Sequence, residues 1–183
     1  PDDSKIEVIG NACFGHRRLS ILDTSSNGRQ PFLSDDSSVG MIANGEIYNY
    51  QSLRKQLTKQ GSTFKSQSDS EVILQGYTMH GVSYVEKLRG MFAYAIHDKK
   101  INKTVIARDR QGIKPLYYYL EDEVLIFSSE MASLLESGII KREINMVALK
   151  HYVELGYMSE PDTLVKNVKI LEPGKLLTIE NSK

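Results

Sequence analysis

The alternation of apolar and polar positions changes period several times along the chain, and those changes mark its elements. Residues 5–9 and 12–22 approach a two-residue period and are predicted to be strands. Residues 23–38 are rich in Ser, Asp, Asn and Gly, which predicts a long surface loop. A short apolar run over 39–43 stops at Asn44-Gly45, a pair that tolerates positive φ and so predicts a tight turn. Residues 50–60 read as a helix, with Leu53 and Leu57 four apart, Asn49 at the capping position and Gly61 as the stop. Ser68 and Glu71 have capping-box spacing ahead of a second helix running to Gly81, and 82–88 read as one or two further helical turns.

Beyond Gly90 the period returns to two. Residues 91–97 and 104–108 flank a polar turn as one hairpin, and 115–120 and 124–128 flank Glu121-Asp122-Glu123 as another. A short helix over 129–137 closes at Gly138. Asn145 is placed to cap a helix over 146–155 that stops at Gly156, and a last strand over 176–180 follows Pro173-Gly174. Strands and helices come in blocks, not in strict alternation, which predicts an α+β fold with mainly antiparallel sheet. With no repeat or linker visible, residues 1–183 are expected to be one domain.

Composition narrows the function classes. Apolar residues make up 40% and charged residues 25%, with 23 basic and 23 acidic side chains cancelling. That balance suits a globular domain and lacks the basic excess that nucleic-acid binding uses against phosphates. No apolar run reaches the roughly 20 residues of a membrane span, so no membrane partner is expected. A single cysteine, Cys13, excludes an internal disulfide and a cysteine-built zinc site, and favours a cytoplasmic setting. His16, His80, His97 and His151 show no ligand spacing, so no metal site is expected. Lys99, Lys100 and Lys103 read as a solvated hairpin tip, and no phosphate loop of the GxxxxGK type occurs.

Four segments carry chemistry when read together: Gly15-His16-Arg17-Arg18-Leu19-Ser20-Ile21, Asn44-Gly45-Glu46-Ile47-Tyr48-Asn49, Ser68-Asp69-Ser70-Glu71-Val72-Ile73, and the run from Ala107-Arg108-Asp109 to Pro115-Leu116-Tyr117. Gly90-Met91-Phe92-Ala93, Ser129-Glu130 and the stretch from Gly156-Tyr157 to Pro173-Gly174 add to them. In order and spacing the set resembles the glutaminase domain of class II amidotransferases, in the asparagine synthetase branch. The resemblance covers essentially the whole chain. It implies the four-layer αββα sandwich of N-terminal nucleophile hydrolases, which the block pattern accommodates but does not single out. It also implies glutamine hydrolysis by an N-terminal cysteine thiol whose own α-amino group is the base. Pro1-Asp2-Asp3 resembles a motif found a few dozen residues into family members. The nucleophile is therefore expected upstream of Pro1, the fold is expected to be incomplete at that end, and this polypeptide alone is expected to be inactive. Cys13, inside a strand-like segment, is no substitute.

The same resemblance assigns candidate roles. Arg18 would take the glutamine α-carboxylate, for which a guanidinium fork is matched bidentately; the alternative is a surface arginine like Arg17. Leu19, Ile21 and Leu22 would add backbone contacts. Asn44 and Gly45 would form the oxyanion hole from a side-chain amide and a backbone N–H, against the alternative of a plain Asn-Gly turn. Asp69, with Glu46 nearby, would hold the α-ammonium, unless Asp69 is only a first-turn residue favoured by the helix dipole. The run from Arg108 to Tyr117 reads as structural, and Tyr117-Tyr118-Tyr119 as packing across a strand.

No cofactor is expected in this domain; ATP and Mg are expected in a C-terminal synthetase domain that amidates aspartate. Other acceptors, a non-catalytic glutamine-binding relative and a homodimer remain open on the sequence.

Overall fold

The structure, a computed structural model, describes residues 3–18, 23 and 25–180. Its strands are β1 (Asp3–Ile9), β2 (Ala12–Arg18), β3 (Phe32–Leu33), β4 (Val39–Ile47), β5 (Gly90–Asp98), β6 (Lys103–Arg108), β7 (Tyr117–Glu121), β8 (Val124–Ser128), β9 (Val168–Ile170) and β10 (Leu176–Ile179). Its α-helices are α1 (Tyr50–Lys59), α2 (Glu71–His80), α3 (Met131–Leu135) and α4 (Met146–Leu155), with short 3-10 turns at Ser26–Gly28 and Val82–Lys87.

A five-stranded sheet in the order β10-β6-β5-β4-β3 forms the centre, and every pair in it is antiparallel. Side chains alternate across it. Met41, Ala43, Phe92, Tyr94, Ile96, Val105 and Ala107 turn one way and pack with Leu53 and Leu57 of α1 and Val72, Ile73 and Leu74 of α2. Ile42, Ala93, Ala95, Ile106 and Leu177 turn the other way and meet Phe14 of β2 and Phe127 of β8. Burial of both faces explains why β5 and β6 read as nearly unbroken apolar runs.

The second layer holds the β1–β2 hairpin and the sheet β8-β7-β9. Tyr118 of β7 faces inward, while Tyr117 and Tyr119 pack outward with Met131, Leu134 and Leu135 of α3. The order is therefore helix, sheet, sheet, helix, as expected for an αββα sandwich.

Local chemistry departs from the sequence reading in three places. Asn44-Gly45 makes no turn: β4 runs straight through it, in register with β5 from Val39↔Asp98 to Ile47↔Gly90. Gly45 lies at φ 132 against Phe92, where a Cβ would strike the Met91 carbonyl oxygen, so the glycine serves a close strand approach. Asn49 stands at the start of α1 but does not cap it. Its side chain donates to Lys87 O and accepts from Arg89 N, tying down a distant loop. Ser68 is no capping-box partner either. It accepts from Ser70 N, while the buried Glu71 carboxylate reaches back to Lys65 N and Ser66 N. Asn145 does cap as expected, accepting from Val147 N and Ala148 N at 3.2 Å each.

Candidate active site

β2 lies over the end of β4, and its alternation sorts two adjacent arginines. Ala12, Phe14, His16 and Arg18 turn toward the sheet, leaving Cys13 and Arg17 exposed. Arg18 donates from Nη1 to Ser25 O at 3.2 Å, and its guanidinium lies against Gly28. The following residues, Leu19, Ile21 and Leu22, lie outside the described residues.

Asp69 approaches from the segment just before α2. It is 5% exposed, and its Oδ2 accepts from the backbone N–H of Ile47 at 2.6 Å. The carboxylate therefore has a definite structural bond instead of merely sitting in a helix dipole. Asn44 and Gly45 occupy the stretch of β4 between these two charged groups, followed by half-buried Glu46.

One cavity of about 280 Å³ joins them. Arg18, Asn44, Gly45, Glu46 and Asp69 all line it. It sits at the small end of the usual range for ligand pockets, the size class of a single small metabolite. Side chains of both charges line it, Arg18 among the cations and Glu46 and Asp69 among the carboxylates, which suits a zwitterion. The described part of the cavity thus brings together residues 18, 44–46 and 69 from three separate segments of the chain.

Sequence reasoning missed further residues of the same wall: His16, Asp23, Gln30 and Lys114. Asp23 is a buried carboxylate that accepts from Ser25 N, Ser25 Oγ and Gln67 N. The Ser25 hydroxyl first, then Gln67 N and the charge of Arg18, hold its acid below the usual carboxylate range. His16 points Nε2 at Ala43 O, 3.2 Å away, and burial of the ring lowers its basicity. A carbonyl only accepts, so Nε2 carries the proton and Nδ1, buried and without a partner among the described residues, carries a lone pair. His16 and Lys114 lie inside the first and fourth of the quoted segments, which could have pointed to them, whereas Asp23 and Gln30 have no sequence signature because each is defined only by what folds against it.

Arg108 and Asp109 behave as a structural pair. Arg108 donates to Lys114 O, Gly112 O, Leu171 O and Glu160, and Asp109 accepts from the N–H groups of Phe92, Gln111, Ile113 and Lys114. Cys13 is exposed and lines a separate cavity of about 790 Å³ between β2 and β8, which Arg18, Asn44 and Asp69 do not line. Among the described residues, no group of His, Cys, Asp and Glu could hold a metal ion, and no helix is long and apolar enough to cross a membrane. Lys103, expected at a solvated tip, instead opens β6 and pairs with Glu180 at 2.7 Å.

The glutamine amidotransferase domain family matches residues 1–183 throughout. The chain belongs to that family. Glutamine-hydrolysing asparagine synthetase 1 of Bacillus subtilis (strain 168) is 44% identical over 91% of the chain, and synthetase 2 of the same organism is 45% identical over 79%. A putative glutamine-hydrolysing asparagine synthetase 2 of Methanocaldococcus jannaschii is 35% identical across the full chain. The chain spans only 26%, 19% and 39% of the lengths of these three relatives. In three dimensions it is similar to glutamine phosphoribosylpyrophosphate amidotransferase from B. subtilis, with a TM-score of 0.61 at 22% identity over 92% of this chain and 33% of that one. At that identity the likeness speaks for the fold alone. By family, then, the chain is a glutamine amidotransferase domain that matches one part of glutamine-hydrolysing asparagine synthetases.

Proposed function

We propose that the 280 Å³ cavity binds free L-glutamine by both charged ends and holds its side-chain amide for acyl transfer. The Arg18 guanidinium takes the α-carboxylate, and Asp69, with Glu46, takes the α-ammonium. The Asn44 side-chain amide and the Gly45 N–H donate to the oxyanion that forms when a thiolate adds to the amide carbon. Preorganised donors of this kind are worth about 3–4 kcal/mol each at the transition state. Leu19, Ile21 and Leu22 follow Arg18 directly and add backbone contacts in this reading.

The thiol comes from a segment outside the 183 residues, since Cys13 faces a different cavity. Ammonia released here feeds a synthetase region, also outside these residues, where ATP and Mg activate aspartate for conversion to asparagine. The limited share of the synthetase relatives' length that the chain spans supports such a division. One observation carries the reading: an arginine, an Asn-Gly pair and a buried aspartate from three separate segments share one small cavity.

A paired assay tests it. The full-length polypeptide should release glutamate from L-glutamine, and the 183-residue polypeptide should not exceed background. Turnover by the short form would show that the nucleophile lies within it and sink the assignment of the thiol.

A further inference from the structure

Ala43 immediately precedes the Asn44-Gly45 pair, and both of its backbone groups are held by side chains. Strand β3 pairs with β4 only at Phe32↔Met41 and Leu33↔Gly40, so backbone pairing on that edge stops short of Ala43. The side chain of Gln30 takes over. Its Oε1 accepts from Ala43 N at 2.5 Å, and its Nε2 donates to Ala43 O at 3.1 Å. A primary amide carries one acceptor and two donors on a plane, so it copies the pairing that a strand peptide would offer. Gln30 is 8% exposed, and the ring of His16 donates a second bond to the same Ala43 oxygen. Both side chains also form the wall of the cavity that holds Asn44 and Gly45.

We infer that Gln30 is a positioning residue for glutamine hydrolysis, fixing the Ala43 peptide so that the Asn44 amide and the Gly45 N–H are aimed at the oxyanion. The inference rests on the proposed reading of the cavity. Gln30 touches neither end of the bound amino acid in that reading, so its loss acts on the transition state and not on substrate capture. Misplacing a donor by about 1 Å can cost on the order of 100-fold in rate. Ordinary packing glutamines do not combine these features: burial, paired bonds to one strand residue, and a place beside the oxyanion donors.

The test is steady-state glutaminase kinetics on the full-length polypeptide, with L-glutamine as substrate and thermal unfolding recorded for each variant. Gln30→Met keeps length and removes both bonds. It is expected to lower kcat by roughly 10- to 100-fold while KM stays within about threefold. Gln30→Glu keeps size and the acceptor but loses the donor, and serves should the Met variant fail to fold. An unchanged kcat in a folded variant, or a rise in KM with kcat intact, overturns the inference. Arg18→Ala runs beside them as the control on the cavity reading: an unmoved KM there sinks that reading, whereas an unmoved kcat in the Gln30 variants sinks the positioning role alone.

Discussion

The carboxylate of Asp69 and the backbone N–H of Ile47 are joined by a 2.6 Å hydrogen bond that ties the start of α2 to the strand bearing Asn44 and Gly45. One side chain therefore has two duties in the proposed reading, since it holds the strand end with Oδ2 and contributes negative charge to the cavity. The two duties separate by mutation.

Asp69→Asn keeps an oxygen for Ile47 N and removes the charge. Glutamine binding by calorimetry should weaken about 10-fold or more, with the unfolding midpoint nearly unchanged. Asp69→Ala also orphans the Ile47 N–H and should cost a further 1–3 kcal/mol, roughly, of stability by urea denaturation. Equal binding by the Asp69→Asn variant and the wild-type protein would remove Asp69 from the ammonium site.

Arg18 is proposed to act through fork geometry as well as charge. Arg18→Ala should raise KM about 10- to 100-fold, as expected for loss of charge-assisted bonds of about 1.5–3 kcal/mol. Arg18→Lys should recover little of it, because a point charge does not reproduce two parallel N–H groups. Neighbouring Arg17 is exposed on the opposite side of β2, and Arg17→Ala should leave KM where it was.

Gly45→Ala tests the close approach of β4 and β5. The new Cβ would meet the Met91 carbonyl at a φ of 132 that alanine resists. The expected loss is about 1–3 kcal/mol or more, read as a lower urea midpoint. A midpoint equal to wild type would mean that the glycine is not required by the strand pair.

Stability should fall with acid in two stages. Burial pushes His97 below its ordinary 6.5, its Nδ1 lying 2.9 Å from Thr104 Oγ1 and its Nε2 buried without a partner among the described residues. The unfolded chain then binds a proton that the folded one refuses, so stability rises with pH across that window and declines as pH drops below about 6.5. Asp109 adds the second stage. Burial works to raise its acid, but the backbone N–H groups of Lys114, Ile113, Gln111 and Phe92 outweigh it and hold the acid below its ordinary 3.8. Its contribution is complete above that value and is lost below it. Urea midpoints measured against pH should show both steps, and His97→Gln should diminish the first, the rest of which comes from His16, whose basicity burial also lowers.

Several elements were legible because their cause is local. Asn145 caps α4 and Gly156 ends it at φ 76, as the one-letter pattern indicates. The hairpin at Asp122-Glu123 forms with both residues at positive φ, and the tyrosines of β7 divide between two cores by simple alternation. Asn49 failed as a cap for a non-local reason: it binds residues 87 and 89, so tertiary partners competed successfully for a group that sequence spacing assigns to a helix end. Ser68 failed for a local one, since Glu71 reaches back to Lys65 and Ser66 and Ser68 accepts from Ser70 N.

By itself the sequence determined the two-residue and helical periods, the αββα family resemblance and the residue types a zwitterionic amide substrate needs. Tertiary structure decided which arginine of the pair at 17 and 18 faces inward, that Asn44-Gly45 is strand and not turn, and that Gln30 and His16 brace the peptide ahead of it. The physical reason is reach. Periodicity and caps are settled within a few residues of chain, whereas the cavity is closed by groups dozens of residues apart, whose bonds exist only once β2, β4 and the segment before α2 have packed together.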